Sequence, residues 1–436
     1  MLSAFRSAFA TPDLRKKLLF SIAIIAVYRL GATLPSPGVS YPNVQTCLKQ
    51  VEGGENQSVY ALINLFSGGA LLQLSIFALG IMPYITASII VQLLTVVIPR
   101  FEQLKQEGQS GQGKLTQYTR YLTIGLAVLQ STGIVALADR GQLFSGCDKP
   151  VIPDQGVYPL AVIVIVMTAG TSVIMWLGEL ITERGIGNGM SLIIFTSIAA
   201  RIPSEGGNIL TNGGVLVFAG ICVFGLAIIA SVVFVEQGQR RIPVQYAKRM
   251  VGRRMYGGTS TYLPLKVNQA GVIPVIFGSS LLYLPDLIAR LSGNVGGTFQ
   301  RLVQTYLVDQ SNWVHILLYF LLIIFFTYFY VGITFNPDER AEEMKKFGGF
   351  IPGIRPGRPT AEYLNFVLSR ITLPGSLYLG IIAVLPNFFL GLTQGGQNQN
   401  FPFGGTAVLI MVGVGLDTVK QIESQLMQRN YEGFLR

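Results

Sequence analysis

Side chains able to do chemistry are scarce in this chain of 436 residues, which has one histidine, His315, and three cysteines, Cys47, Cys147 and Cys222. A lone imidazole all but excludes zinc proteases, histidine-based triads and bis-histidine haem ligation. Three thiols fall short of an iron–sulfur site that needs four. Two glycine-rich motifs suggest a nucleotide. Gly108-Gln109-Ser110-Gly111-Gln112-Gly113-Lys114 matches most of a Walker A pattern, but Leu115 stands where Mg²⁺ needs a hydroxyl, and no buried strand precedes it. Gly185-Ile186-Gly187-Asn188-Gly189 has the look of a dinucleotide turn, yet it opens an apolar helix rather than a βαβ unit. Its expected role is a tight helix start with close packing. The reading is therefore of a chain with no catalytic residue, no metal site and no cofactor.

The elements that hold these residues are apolar. Half of the chain is hydrophobic and 12% is charged, against roughly 25% charged in a soluble domain. Mean hydropathy is +0.50. Runs near the ~20 residues that cross hydrocarbon fall at about 18–34, 74–98, 121–139, 157–177, 186–201, 214–235, 267–289, 313–335, 373–392 and 404–422. The expected fold class is thus all-α, a polytopic membrane protein of ten transmembrane helices. Arg15-Lys16-Lys17 and the short run behind them have the shape of a signal peptide. The apolar stretch resumes after Arg29, however, and charge parity prefers ten spans. With the N-terminus in the cytoplasm, 25 of the 32 cations lie inside and seven outside, with no exceptional loop. Both termini are then cytoplasmic.

Ten spans divide as five plus five, and an odd-numbered half reverses orientation when repeated, which permits an inverted pseudo-two-fold. The expected halves are 1–205 and 206–436. No acid or base stands at a span midpoint, where ion-coupled transporters commonly place one. Arg29, Glu179 and Asp417 sit near span ends. The polar groups at mid-membrane are hydroxyls and amides, namely Thr86, Ser88 and Gln92 in span 2 and Ser279 and Ser280 in span 7. Such groups join helices weakly, at roughly 0.6 kcal/mol each.

Three segments stand apart from the spans. The cytoplasmic loop at about 236–266 carries seven cations, among them Lys248, Arg249, Arg253 and Arg254, against Glu236 alone. It is much longer than a connector needs. A topology signal drawn to anionic lipid would read so, and so would a docking surface. In the loop at about 336–372, Asn336-Pro337-Asp338-Glu339 followed by Lys345-Lys346 and Gly348 spells a short capped helix. Beyond it, three prolines and two glycines stiffen 351–359 around Arg355 and Arg358, as a protein-binding finger would require. The third segment, about 62–72, is apolar but too short to span. Each helical glycine costs about 1 kcal/mol relative to alanine, so Gly68 and Gly69 make it at best a marginal helix, able to move cheaply.

Seven blocks, in order and in the expected places, resemble the SecY family, the central channel subunits of bacterial protein translocases. They are INLFSGGAL at 63–71, SIFALGIMPYITASIIVQLL at 75–94, GELITERGIGNGMS at 178–191, GQRRIPVQYAKR at 238–249, LPLKVNQAGVIPVIF at 263–277, FNPDERAEEMKKFGGFIPGIRPG at 335–357 and FGGTAVLI at 403–410. The resemblance implies an hourglass channel of two five-helix halves in the cytoplasmic membrane. It implies a lateral gate between spans 2–3 and 7–8, where Thr86, Ser88, Gln92, Ser279 and Ser280 lie. It also implies SecE and SecG subunits, the SecA motor ATPase, the ribosome, preprotein signal sequences and membrane lipid as partners.

Carried over residue by residue, the plug is Asn64, Leu65, Phe66, Ser67, Gly68, Gly69 and Ala70. The pore ring is Ile81, Ile85, Met190, Ile194, Ile276 and Ile410, with Met190 departing from the family's usual isoleucine. Ile81 with Ile85, and Met190 with Ile194, are i,i+4 pairs that share a helix face. Docking falls to Lys248, Arg249, Arg253, Arg254, Arg355 and Arg358. The outer loops at 140–156, 291–312 and 393–402 match poorly and carry nothing over. Cys47 and Cys147 both lie in expected outer loops, where a disulfide can form; Cys222 lies inside span 6. The alternative reading is an inverted-repeat secondary transporter, which would bind a small solute at the midplane.

Overall fold

Every stretch that the sequence marks as a span contains a helix. The structure, a computed structural model, describes residues 9, 11–51, 67–139, 141, 147, 149–153, 156–246, 249–251, 254–256, 260–291, 302–308, 312–392 and 405–433. The ten expected spans correspond to α1 (Pro12–Thr33), α3 (Met82–Val97), α5 (Gln109–Asp139), α6 (Val157–Arg184), α7 (Gly189–Ala199), α8 (Ile202–Gln237), α9 (Ile273–Leu291), α10 (Trp313–Thr334), α12 (Arg358–Leu392) and α13 (Gly405–Gly433). Between them stand α2 (Tyr41–Val51), α4 (Pro99–Gln106) and α11 (Pro337–Lys346). Five helices, α5, α6, α8 from Gly214, α10 and α12, are each long and apolar enough to cross a membrane alone; α3 with α4 makes a sixth if the pair is one span, bent by 101°. The others fall short for visible reasons. Helix α1 carries Arg15, Lys16 and Lys17, α7 has 11 residues, and the second half of α13 is polar.

Local signals set several of these boundaries. Asn188, Asn312 and Asn336 each accept a backbone N–H of the next turn at the starts of α7, α10 and α11. Gly214, at φ +77°, interrupts α8 where the sixth apolar run begins. Residues 109–114, which mimic part of a Walker A loop, are the first turns of α5.

The mostly helical fold also carries five short strands among its described residues. Between α8 and α9, β1 (Gln239–Tyr246) pairs antiparallel with β4 (Ser260–Lys266), and β5 (Gly349–Phe350) adds to the other edge of β1. Between β1 and β4, β2 (Arg249–Val251) and β3 (Arg254–Tyr256) form a smaller hairpin. Burial accounts for the sheet: Ile242 and Val244 are buried at period two on β1, Leu265 is buried on β4, and Ile242 and Leu265 pack on Val331 of α10, Phe335 at its end, and Leu364 and Leu368 of α12. Pro243, which has no N–H to offer, lies where β5 does not reach.

Cys47 and Cys147 form a disulfide with their Cα atoms 5.4 Å apart. It ties α2 to the chain at 147–153, where the Asn43 amide donates to the Pro150 carbonyl (2.8 Å) and Val44, Val151 and Ile152 are buried together. The two cysteines are 100 positions apart. Replacing both by serine is expected to cost about 2–4 kcal/mol, seen as a lower thermal-denaturation midpoint of the purified complex. An unchanged midpoint would mean that the buried contacts alone hold this cap. Cys222, on α8, is a free thiol.

Candidate functional site

Six helices meet in one apolar cluster. Ile81, Ile194, Ile276 and Ile410 are buried in it, and Ile85 and Met190 pack on it half-buried. All six residues assigned to a ring thus come together, although they arrive from α3, α7, α9 and α13. Tyr28, Phe77, Ile174, Ile181, Ile193 and Ala407 belong to the same cluster. Their types are those of any packed helix, so nothing in the sequence singles them out.

The Gly185–Gly189 segment positions α7. The Asn188 side chain accepts from the N–H groups of Met190 (3.1 Å) and Ser191 (3.4 Å), while Gly189 N–H donates to Thr182 Oγ1 at 2.9 Å. A side chain on Gly189 would overlap the Gly178 carbonyl of α6, so glycine is what lets the two helices touch here. Met190 in turn lies over Gly178, where a Cβ would strike its sulfur. An unbranched, polarizable thioether can adapt to that contact.

The segment just before α3 is a series of turns from Gly68 to Ile81, not a helix. Ser67, Ala70, Leu71 and Leu74 are buried, and Leu71 and Leu74 sit in a second apolar cluster with Val44 and Met167. The Arg29 guanidinium donates from Nη1 to the Gly68 carbonyl at 3.3 Å. Asn64, Leu65 and Phe66 lie outside the described residues. The other charges at span ends are paired too. Arg120 holds Glu179 through two hydrogen bonds, 2.9 and 2.7 Å, and Lys266 reaches Asp417 at 3.5 Å.

At the expected gate two hydroxyls bond within their own helices. Thr86 donates to Met82 O and Ser279 to Ile276 O, each within its own helix. A hydroxyl one turn from a carbonyl satisfies itself locally. Ser88 is half-buried and Gln92 exposed; the Ser280 side chain lies outside the described residues.

The SecY family profile matches residues 75–419. Over the full length of both chains, the sequence is 71% identical to the protein translocase subunit SecY of Mycobacterium tuberculosis and 64% identical to that of Streptomyces coelicolor. The chain belongs to the SecY family. Solved SecY-fold structures superpose on it at low identity. A protein-conducting channel matches with TM-score 0.64 and 18% identity, covering 94% of this chain and 91% of that one. A channel in which the SecY plug domain is described as stabilising the closed state and maintaining a membrane seal matches at 0.63 and 19%, with the same coverage. Sec61 in the canine ribosome–channel complex matches at 0.61 and 18%, again covering 94% and 91%. Membership makes this chain a multi-pass, mostly helical, non-enzymatic channel subunit of the Sec translocase, not a small-solute transporter.

The residues expected to dock partners divide in two. Arg249 and Arg254 lie on opposite strands of the β2–β3 hairpin, paired in register with Tyr256 and Val251, whereas Lys248 and Arg253 lie outside the described residues. Arg355, on the turn before α12, and Arg358, the first residue of α12, are exposed, with Gly353 at φ +83° and Gly357 at φ +106°. The capped helix expected at 337–346 is α11.

Proposed function

We propose that the six-residue cluster is the waist of the channel, and that 62–72 is a plug seated on its outer side. The observation that carries this reading is the convergence of Ile81, Ile85, Met190, Ile194, Ile276 and Ile410 into one apolar cluster. A narrow constriction of isoleucine is unfavourable for water and hydrated ions, so it seals by dewetting while leaving an extended chain free to push through. The halves 1–205 and 206–436 part to release membrane segments sideways, between spans 2–3 and 7–8. Thr86 and Ser279, satisfied within their own helices, add no strong bond across that seam.

The channel lies in the cytoplasmic membrane with both termini inside, so the sheet of β1, β4 and β5 and the Arg355 turn face the cytosol. There they meet the SecA motor and the ribosome, while SecE and SecG complete the membrane complex and signal sequences and lipid meet the lateral gate. Purifying the complex from native membranes is expected to bring SecE and SecG along; a chain that purifies alone would remove that part. Deleting 65–70 is expected to raise closed-state conductance in planar bilayers mildly, because the ring remains. An unchanged current would remove the plug.

A further inference from the structure

We infer that Arg29 is a latch that holds the plug segment in its seated position, a reading that rests on 62–72 being the plug. Arg29 is an ionisable residue in the last turns of α1, and such residues in spans call for a partner. Its partner is a main-chain carbonyl rather than a carboxylate: Nη1 donates to Gly68 O at 3.3 Å. Gly68 is at φ +65°, and a Cβ there would lie 2.9 Å from the same nitrogen and 3.1 Å from Ser197 Cα. The plug backbone is therefore wedged between the guanidinium and α7. Glycine is required on both counts, the left-handed backbone and the close approach.

The seat itself is held by hydrogen bonds. Ser197 donates to Ile193 O (2.9 Å), which makes Tyr28 O–H the donor in its 2.6 Å hydrogen bond to Ser197 Oγ. Tyr28 is fully buried beside Arg29 on α1, and Ser197 stands three residues beyond the ring residue Ile194. The latch thus fixes the plug to a helix that carries the waist. At its other end the segment is anchored differently. Ser36 N–H donates to Leu74 O (3.0 Å) and Ile76 N–H to Leu34 O (2.9 Å). Leu74 is held there at φ +45°, a conformation that the Cβ of an L-residue disfavours. A base fixed by backbone hydrogen bonds and a charge-assisted bond at Gly68 make a two-position element. Once released, the guanidinium can reach outward to the lipid headgroups or water, so its charge is never stranded.

The test uses the assembled translocase. Ser67→Cys, a buried position, reports plug seating through its rate of labelling by a membrane-impermeant maleimide. Arg29→Gln is expected to raise both that rate and closed-state conductance about tenfold, the effect of losing one hydrogen bond to a charged group. Gly68→Ala, with Arg29 intact, should do the same by pushing the guanidinium off. Adding Arg29→Gln to Gly68→Ala should change nothing further, because the alanine has already displaced the guanidinium. Unchanged labelling and conductance in Arg29→Gln, while deletion of 65–70 does leak, would overturn the latch and leave the plug standing. A further rise on adding Arg29→Gln to Gly68→Ala would overturn it equally. If the deletion does not leak, the plug reading falls and takes the latch with it.

Discussion

Asparagine in place of Ile276 or Ile410 raises the idle ion conductance of the translocase about five- to a hundredfold and admits preproteins with weak signal sequences. The magnitude follows from what the closed waist offers an amide. Ile276 is 4% exposed and Ile410 1%, both packed inside a hydrophobic cluster. Burying an amide without a hydrogen bond costs about 1–3 kcal/mol by protein mutational data. In the open channel the same amide is hydrated. The substitution therefore destabilises the closed state relative to the open one by about that amount, and each 1.4 kcal/mol is about tenfold in population. It also gives water a foothold in a constriction that excludes it only while wholly apolar. Leucine at the same positions keeps the seal, since volume and polarity are conserved. Planar-bilayer recordings decide it: an unchanged closed-state current in both asparagine variants sinks the ring assignment.

Legibility in the sequence varies with how local each signal is. The spans are readable because some twenty apolar residues in a row are long enough to cross hydrocarbon, and caps such as Asn188 and Asn336 act within one turn. The ring is different. An isoleucine in a span faces lipid or packing far more often than a pore, and Ile81 and Ile410 stand at opposite ends of the chain. Only the family blocks around them point to these residues. The pairing of Tyr28 with Ser197 depends on how α1 meets α7, which no local pattern encodes. In the β1–β4 hairpin the cations dominate the loop and hide its strands. The alternation of Ile242 and Val244 is present, but it spans only a few positions and is interrupted by Pro243. The hydroxyls of Thr86 and Ser279 have the chemistry to tie helices together, but a carbonyl one turn back is nearer than any neighbouring helix.

Arg355→Glu abolishes motor-driven transport, by a hundredfold or more on the order set by reversing a charge against a complementary surface, while the channel still folds and inserts. The backbone at this turn is built to hold still. Thr360, 2% exposed, donates its hydroxyl to the Arg355 carbonyl at 2.8 Å, and Ile354 N–H donates to Ile351 O at 3.0 Å. Pro352, Pro356 and Pro359 remove most of the remaining freedom. The Arg355 side chain itself is exposed, so changing it disturbs little within the fold, about 0.5 kcal/mol or less as for most surface substitutions. A rigid backbone presenting an exposed cation loses little entropy when a partner engages it. Charge reversal replaces that attraction with repulsion at the same spot. Arg358 is a useful contrast. Its Nε lies 3.1 Å from Glu362 one helical turn on, an exposed pair of small worth that nonetheless offsets part of its charge. Arg358→Glu is therefore expected to weaken transport less than Arg355→Glu. Translocation into inverted membrane vesicles measures both, with insertion of the channel as the control. Normal secretion in Arg355→Glu would take the turn out of the mechanism, since the exposed side chain has no structural duty that could mask a role in docking.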